Sequence, residues 1–122
     1  MIVGNLKSEV PIEFCGDEKL LASHGHENLR KHVSKHLSNY SVAGEIVDVL
    51  VYCKRFEKSE RPLVFTSLTI NTTYGPVSGY GIDYNIRNAL NIAIKNSVAE
   101  MEKAAAEQLY GSYKDVEGLA EA

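Results

Sequence analysis

Four histidines lie within thirteen residues of the chain, and they are the side chains best suited to proton or metal chemistry near neutral pH. His24, His26, His32 and His36 are all the histidines of the sequence. His32 and His36 are four residues apart, so on a helix they share a face and could both reach one metal ion. A zinc site needs a closed ligand set, and the chain has no Cys-x-x-Cys pair to complete it. We therefore expect neither a metal site nor a cofactor.

The same segment carries a row of cations along one helix edge. Arg30, Lys31 and Lys35 follow two histidines that precede the helix, where backbone N–H groups favour negative charge. Two interpretations stay open, a solvated helix edge and a surface that binds anions. The candidate anion-binding patch consists of His24, His26, Arg30, Lys31 and Lys35.

A second candidate site is the segment 72–85, TTYGPVSGYGIDYN, which leads into a long helix. Its glycines would let the backbone approach a ligand closely, and its tyrosines could stack on a flat base. Arg and Asn side chains near the helix start could donate hydrogen bonds to phosphate. The alternative is a plain β-hairpin with a glycine bulge. The predicted ligand-binding residues are Tyr74, Gly79, Tyr80, Gly81, Tyr84, Arg87, Asn88 and Asn91.

No local motif of catalysis accompanies these residues: the sequence has no P-loop, nucleophile elbow or His-Glu-x-x-His. The net charge of −3 disfavours broad contact with duplex nucleic acid, because each neutralised phosphate needs a Lys or Arg. Cys15 and Cys53 are expected to be free structural thiols. Without a signal peptide or a long apolar run, the expected location is the cytoplasm, with no membrane contact.

Hydrophobic periodicity predicts six elements in the order β-α-β-β-β-α. We expect an α+β fold, a two-layer sandwich in which an antiparallel sheet carries two helices on one face. Residues 1–110 would form this single domain, and residues 111–122 a short C-terminal tail. The predicted elements are Val10–Cys15, Glu27–Tyr40, 45–56, 63–74, 77–82 and Tyr84–Leu109.

The last helix has a predicted cap at each end, with Asp83 as N-cap and Gly111 as the stop. On the side opposite its core stripe, Ile92, Ala99 and Ala106 are seven residues apart and stay nearly in line. We expect a homo-oligomer packed through this line. The predicted core stripe consists of Ile86, Leu90, Ala93, Ile94, Ser97, Met101 and Ala104.

The run GYGIDYNIRNALNIAI, a Gly-x-Gly strand end entering a helix after three strands, resembles the double-stranded-RNA-binding domain. With the extra first strand, the layout is also similar to the ribosome hibernation-promoting factors. The resemblance covers roughly Val10–Ala104. It implies the β-α-β-β-β-α fold and binding to RNA or to the ribosome.

These patterns together favour a non-enzymatic protein that binds a small phosphorylated ligand, a nucleotide or a nucleotide-derived signal. Small proteins that sequester such a signal, as in phage counter-defence inside a host cytoplasm, would have this kind of composition. Two alternatives stay open. One is an RNA- or ribosome-binding protein, and the other is a small histidine-dependent enzyme or regulatory subunit.

Overall fold

Eight elements make up the part of the chain that the computed structural model describes, residues 10–57 and 60–109. The predicted tail, 111–122, and the predicted helix stop at Gly111 lie outside these residues. In chain order the elements are β1 (Ile12–Gly16), α1 (Glu18–His24), α2 (His26–Leu37), a 3₁₀ turn (Ser41–Glu45), β2 (Ile46–Phe56), β3 (Leu63–Thr72), β4 (Gly75–Asp83) and α3 (Ile86–Leu109).

The four strands form one sheet in the order β1-β2-β3-β4. The predicted α+β fold, with helices packed on the sheet, is confirmed. The sheet is mixed rather than wholly antiparallel, because β1 runs parallel to β2 while the other pairs are antiparallel. A parallel pair needs a long crossover connection, and here α1, α2 and the 3₁₀ turn supply it.

Two helices, rather than one, connect β1 to β2. The carboxylate of Asp17 caps α1 by accepting a hydrogen bond from the backbone N–H of Leu20 at 3.1 Å. Gly25, with a φ of 83°, ends α1 and begins α2. Sequence periodicity missed α1 because seven residues are too short to repeat an apolar spacing. It predicted α2 from Leu29, Val33 and Leu37, which are all fully buried.

The core lies between the helices and one face of the sheet. Along β3 the side chains of Val64, Leu68 and Ile70 are buried, whereas Thr69 and Asn71 on the other face are exposed. This confirms the predicted alternation and the packed face. The other face is not wholly polar, because Phe65 of β3 and Tyr52 and Tyr80 of its neighbours also lie on it. The buried residues of β2 are Ile46, Val49, Val51 and Cys53.

The 24-residue helix α3 crosses the sheet and packs closely on β4. Its predicted core stripe is buried, except that Ala104 is only half-buried. The structure adds Ala89, Val98 and Ala105 to that stripe. In the described ranges, no helix is long and apolar enough to cross a lipid bilayer.

Candidate functional site

Segment 72–85 is a turn followed by the full length of β4, not a ligand-binding loop. Tyr74 lies in the turn before this strand and Tyr84 just beyond its end. At about 3.3 Å per residue, roughly 30 Å of extended chain separates them. Tyr80 lies between them on the sheet face that the helices leave open, with 63% of its surface exposed. The three tyrosines therefore do not converge on one ligand.

Gly79 and Gly81 approach α3 closely, and this explains why strand β4 contains them. A Cβ atom on Gly79 would lie 2.5 Å from the backbone nitrogen of Ser97, and one on Gly81 would lie 2.8 Å from that of Ala93. Both distances are far shorter than van der Waals contact. The interpretation that these glycines admit a ligand is wrong, because the helix already fills that space. The β3–β4 register is continuous, so no bulge forms there either.

Helix α3 starts two residues later than the sequence predicts. The side-chain oxygen of Asn85 accepts hydrogen bonds from the backbone N–H groups of Arg87 at 2.8 Å and Asn88 at 3.4 Å. Asn85 is thus the N-cap, and the prediction of Asp83 is wrong. Asp83 instead accepts from the backbone of Asn85 and from the side chain of Asn88. These bonds hold Asn88 beside the cap, while Arg87 is exposed.

A pocket of about 370 Å³ opens at the corner where α1, the β2–β3 end of the sheet and the start of α3 meet. It brings His24 and Tyr84 together, although sequence reasoning assigned them to different sites. We call it the corner pocket. It is lined by Leu20, His24, Arg55, Pro62, Val64, Tyr84, Asn85 and Ile86.

The corner pocket combines an aromatic ring with positive charge. The guanidinium carbon of Arg61 lies 4.0 Å from the centre of the Tyr84 ring, a cation–π contact that orients the exposed ring. Arg55 is half-exposed and lies 3.9 Å from the carboxylate of Glu57, at the outer limit of an ion pair. The positive end of the α3 dipole lies at the same corner. The corner pocket could therefore stack a flat ring on Tyr84 and hold an anion beside it.

Sequence reasoning missed Arg55 and Arg61. Both flank the turn between β2 and β3, and in the hairpin register Arg55 lies opposite Val64. The alternation that predicted both strands could have placed this turn at the end of the sheet. The alternation could not show that α3 begins at the same end of the sheet, because the position of α3 depends on the path of the chain after β4.

The five residues of the predicted anion-binding patch lie on α1 and α2 and have different neighbours. His24 lines the corner pocket, and His26 lies 3.8 Å from Glu18. Arg30 donates to the backbone oxygen of Ile12 at 3.2 Å and pairs with Glu27 at 2.6 Å. The first contact joins α2 to β1, and the second joins two residues of α2. The remaining cations of the patch, Lys31 and Lys35, are exposed.

His32 and Asn91 form a link between α2 and α3, away from the corner pocket. The Nε2 atom of His32 lies 2.8 Å from the side-chain oxygen of Asn91, and the rings of His32 and His36 are 4.4 Å apart. Burial lowers the pKa of His32, and positive charge on His36 and Arg87 acts in the same direction. Asn91 therefore joins the two helices through its side-chain oxygen, and its role as a donor to a ligand stays a prediction.

Metal-binding groups do not cluster in the described ranges, where no three His, Cys, Asp or Glu side chains come together. Both cysteines are free thiols. Burial raises the pKa of Cys53 to about 12, so this thiol is protonated and unreactive in the folded protein. The expectation of no metal and no cofactor stays a prediction.

Comparison with known proteins gives no relative: no protein-family model matches the chain, and no curated protein is significantly similar to it. The resemblance to RNA-binding and ribosome hibernation folds therefore stays a prediction. The order of the described elements agrees with that layout apart from the additional helix α1.

Proposed function

We propose that this is a non-enzymatic binding protein that captures a small phosphate-bearing ligand of nucleotide type in the corner pocket. The observation that supports this most directly is that the Tyr84 ring, Arg55 and the α3 N-terminus meet at one opening, with Arg61 against the ring. A base could stack on the exposed ring while a phosphate group meets Arg55 and the helix end. The pocket volume lies within the usual range for small-molecule sites, about 300–1,000 Å³.

The distribution of charge supports a local site over an extended one. The chain has a net charge of −3, yet Arg55 and Arg61 lie close to this corner. A single small anion needs only such a local group of cations, whereas a nucleic acid duplex needs a row of them. Sequestration of a nucleotide signal is a biological role that would follow from this binding.

Binding can be measured by isothermal titration calorimetry with a panel of mononucleotides, cyclic nucleotides and inorganic phosphate. We expect Tyr84→Ala to weaken nucleotide binding by about 1–3 kcal/mol, the scale of base stacking on an aromatic ring. Tyr80→Ala is the matched control, because Tyr80 is also exposed, 63% against 52% for Tyr84, but lies on the open sheet face. If Tyr80→Ala weakens binding and Tyr84→Ala does not, the ligand site is on that face.

A second pair of variants tests the charge. Arg55→Ala should weaken the binding of phosphate-bearing ligands, whereas Lys35→Ala on the exposed edge of α2 should not. Native mass spectrometry of protein purified from cells would identify any retained ligand by its mass. The proposal fails if no nucleotide or phosphate binds at millimolar concentration and no small molecule is retained.

Salt dependence separates this proposal from the RNA- or ribosome-binding alternative. Binding led by many phosphate contacts weakens by orders of magnitude between about 50 and 200 mM salt. A ligand stacked in the corner pocket with one anion contact should weaken far less. A steep salt slope with an RNA hairpin, together with no response to Tyr84→Ala, would favour the alternative.

A further inference from the structure

The sheet face opposite the helices carries large apolar side chains that nothing in the described chain covers. We call it the open face. Tyr80 is 63% exposed, Ile82 50% and Leu50 43%. Phe56 and Tyr52 are also exposed, and Phe65 on the central strand is half-buried. A soluble protein rarely shows this many large apolar groups on one surface without a partner.

The aromatic side chains of the open face already contact one another. The ring of Phe65 lies 6.3 Å from that of Tyr52, edge to face, and 5.9 Å from that of Tyr80, nearly stacked. β2, β3 and β4 therefore each contribute one ring to a continuous group, which we call the row of rings. Because the rings are held by each other and by the sheet, a partner would bind them with little loss of side-chain entropy.

The size of the open face suits a second flat sheet. Three strands of about ten residues and one of five, about 4.8 Å apart, present roughly 550 Å² per copy. Two such faces would bury roughly 1,100 Å², close to the lower end of the range for specific protein interfaces. Sheets that pack face to face in this way are about 10 Å apart, with interdigitated side chains.

The open face carries charges of both signs, with Glu13 and Asp48 acidic and Lys54 basic. Cys15, Tyr52, Ser67 and Tyr80 form one row across the strands, as the register shows. Lys54 lies two residues beyond this row on β2. Glu13, which pairs with Leu50, lies two residues before it.

A two-fold axis along this central row would reverse the strand direction of the second copy. It would thus lay the row that contains Lys54 of one copy over the row that contains Glu13 and Leu50 of the other. Lys54 of one copy then lies over Leu50 of the other, one strand away from Glu13, and the apolar side chains of both copies meet around the axis.

We propose that two copies of the chain form a homodimer through their open faces, as a β-sandwich with antiparallel strand directions. This is a different surface from the line Ile92, Ala99 and Ala106 on α3, and it does not depend on the corner pocket. The row of rings could also stack on nucleic acid bases. A protein that binds single-stranded nucleic acid combines such rings with a row of cations. Lys54 is the one lysine or arginine that the four described strands place on this face.

Multi-angle light scattering and sedimentation of the full chain test the proposal. We expect twice the chain mass at micromolar concentration for the wild type. Tyr80→Glu should raise the dimer dissociation constant at least tenfold, because it buries a charge opposite an apolar face. Ile92→Glu is the matched control: Ile92 is also an exposed apolar residue, but it lies on α3. Circular dichroism would show that both variants keep the fold.

Charge reversal tests the orientation of the two copies. Lys54→Glu should weaken the dimer, and adding Glu13→Lys should restore it. A short bis-maleimide should link Cys15 of one copy to Cys15 of the other, since the central row lies on the axis. The proposal is overturned by a monomeric wild type, by dissociation through Ile92→Glu rather than Tyr80→Glu, or by a monomer that binds single-stranded RNA through Tyr80.

Discussion

The imidazole of His32 and the side-chain amide of Asn91 connect α2 to α3 over 2.8 Å. Burial is the main reason why the pKa of His32 lies below its ordinary value of 6.5, and the hydrogen bond to Asn91 partly opposes it. The folded protein thus prefers the neutral imidazole, which places a titrating group within the contact between two helices.

The stability of the fold should therefore depend on pH below 6.5. The unfolded chain takes up the His32 proton at a higher pH than the folded chain does. The contribution to the free energy of unfolding is then full above pH 6.5 and declines as the pH falls through the lowered pKa. Urea denaturation at pH 7.5 and pH 5.5 measures this loss, and His32→Gln should reduce it.

Asn91→Asp should change the pH dependence of stability in the opposite direction. A carboxylate at this position would favour the imidazolium form and raise the pKa of His32. The variant should gain stability, relative to the wild type, below pH 6.5 and lose that gain as the pH rises through the raised pKa. An identical pH dependence in the wild type, His32→Gln and Asn91→Asp would exclude a role for this pair.

The glycines of β4 should act on stability rather than on ligand binding. Gly79→Ala and Gly81→Ala would each force α3 away from the strand, which costs about 1–3 kcal/mol as overpacking does. Gly44→Ala is the control, since a Cβ atom there would meet no atom within 4 Å. Thermal denaturation of the three variants measures the difference. Equal effects at all three positions would contradict the packing role.

Cys53 should be inaccessible to thiol reagents in the native protein. Its side chain is fully buried, and its pKa is raised to about 12. In a Cys15→Ala background Cys53 is the only thiol left. Maleimide should therefore label the protein only after it unfolds. Rapid labelling without denaturant would show that the sheet opens at β2.

Asn85 should contribute to stability as the cap of α3. Asn85→Ala removes the acceptor for two backbone N–H groups and should lower the free energy of unfolding by about 1 kcal/mol. Asn85→Asp keeps an acceptor and should retain most of the stability. Chemical denaturation of the two variants distinguishes a cap from a mere surface residue, for which both changes would be neutral.

Patterns within single elements predicted much of this fold. The alternation in β3 and the spacing of Leu29, Val33 and Leu37 each depend on one element and one buried face. The parallel direction of β1 could not be read in this way, because periodicity is the same for both directions. Only the three-dimensional path of the crossover fixes that direction.

The candidate site was harder to predict for a related reason. His24, Arg55 and Tyr84 are far apart in the chain and meet only because α1, the β2–β3 turn and the start of α3 share one corner. Gly79 and Gly81 misled the sequence interpretation, since a glycine against a helix and a glycine against a ligand have the same signature. Which of the two applies depends on what lies opposite the strand.

The parallel pairing of β1 has a consequence for the order in which the chain assembles. β2, β3, β4 and α3 each pack on a neighbour in sequence, whereas β1 must wait for residues 17–45 to fold back before it meets β2. Closing that longer loop costs more chain entropy. In return, β1 contributes the strand pairing of only five residues. During synthesis β1 leaves the ribosome before β2, β3 and β4, yet we expect it to dock last. Its amides should then exchange with solvent hydrogen sooner than those of β2 and β3.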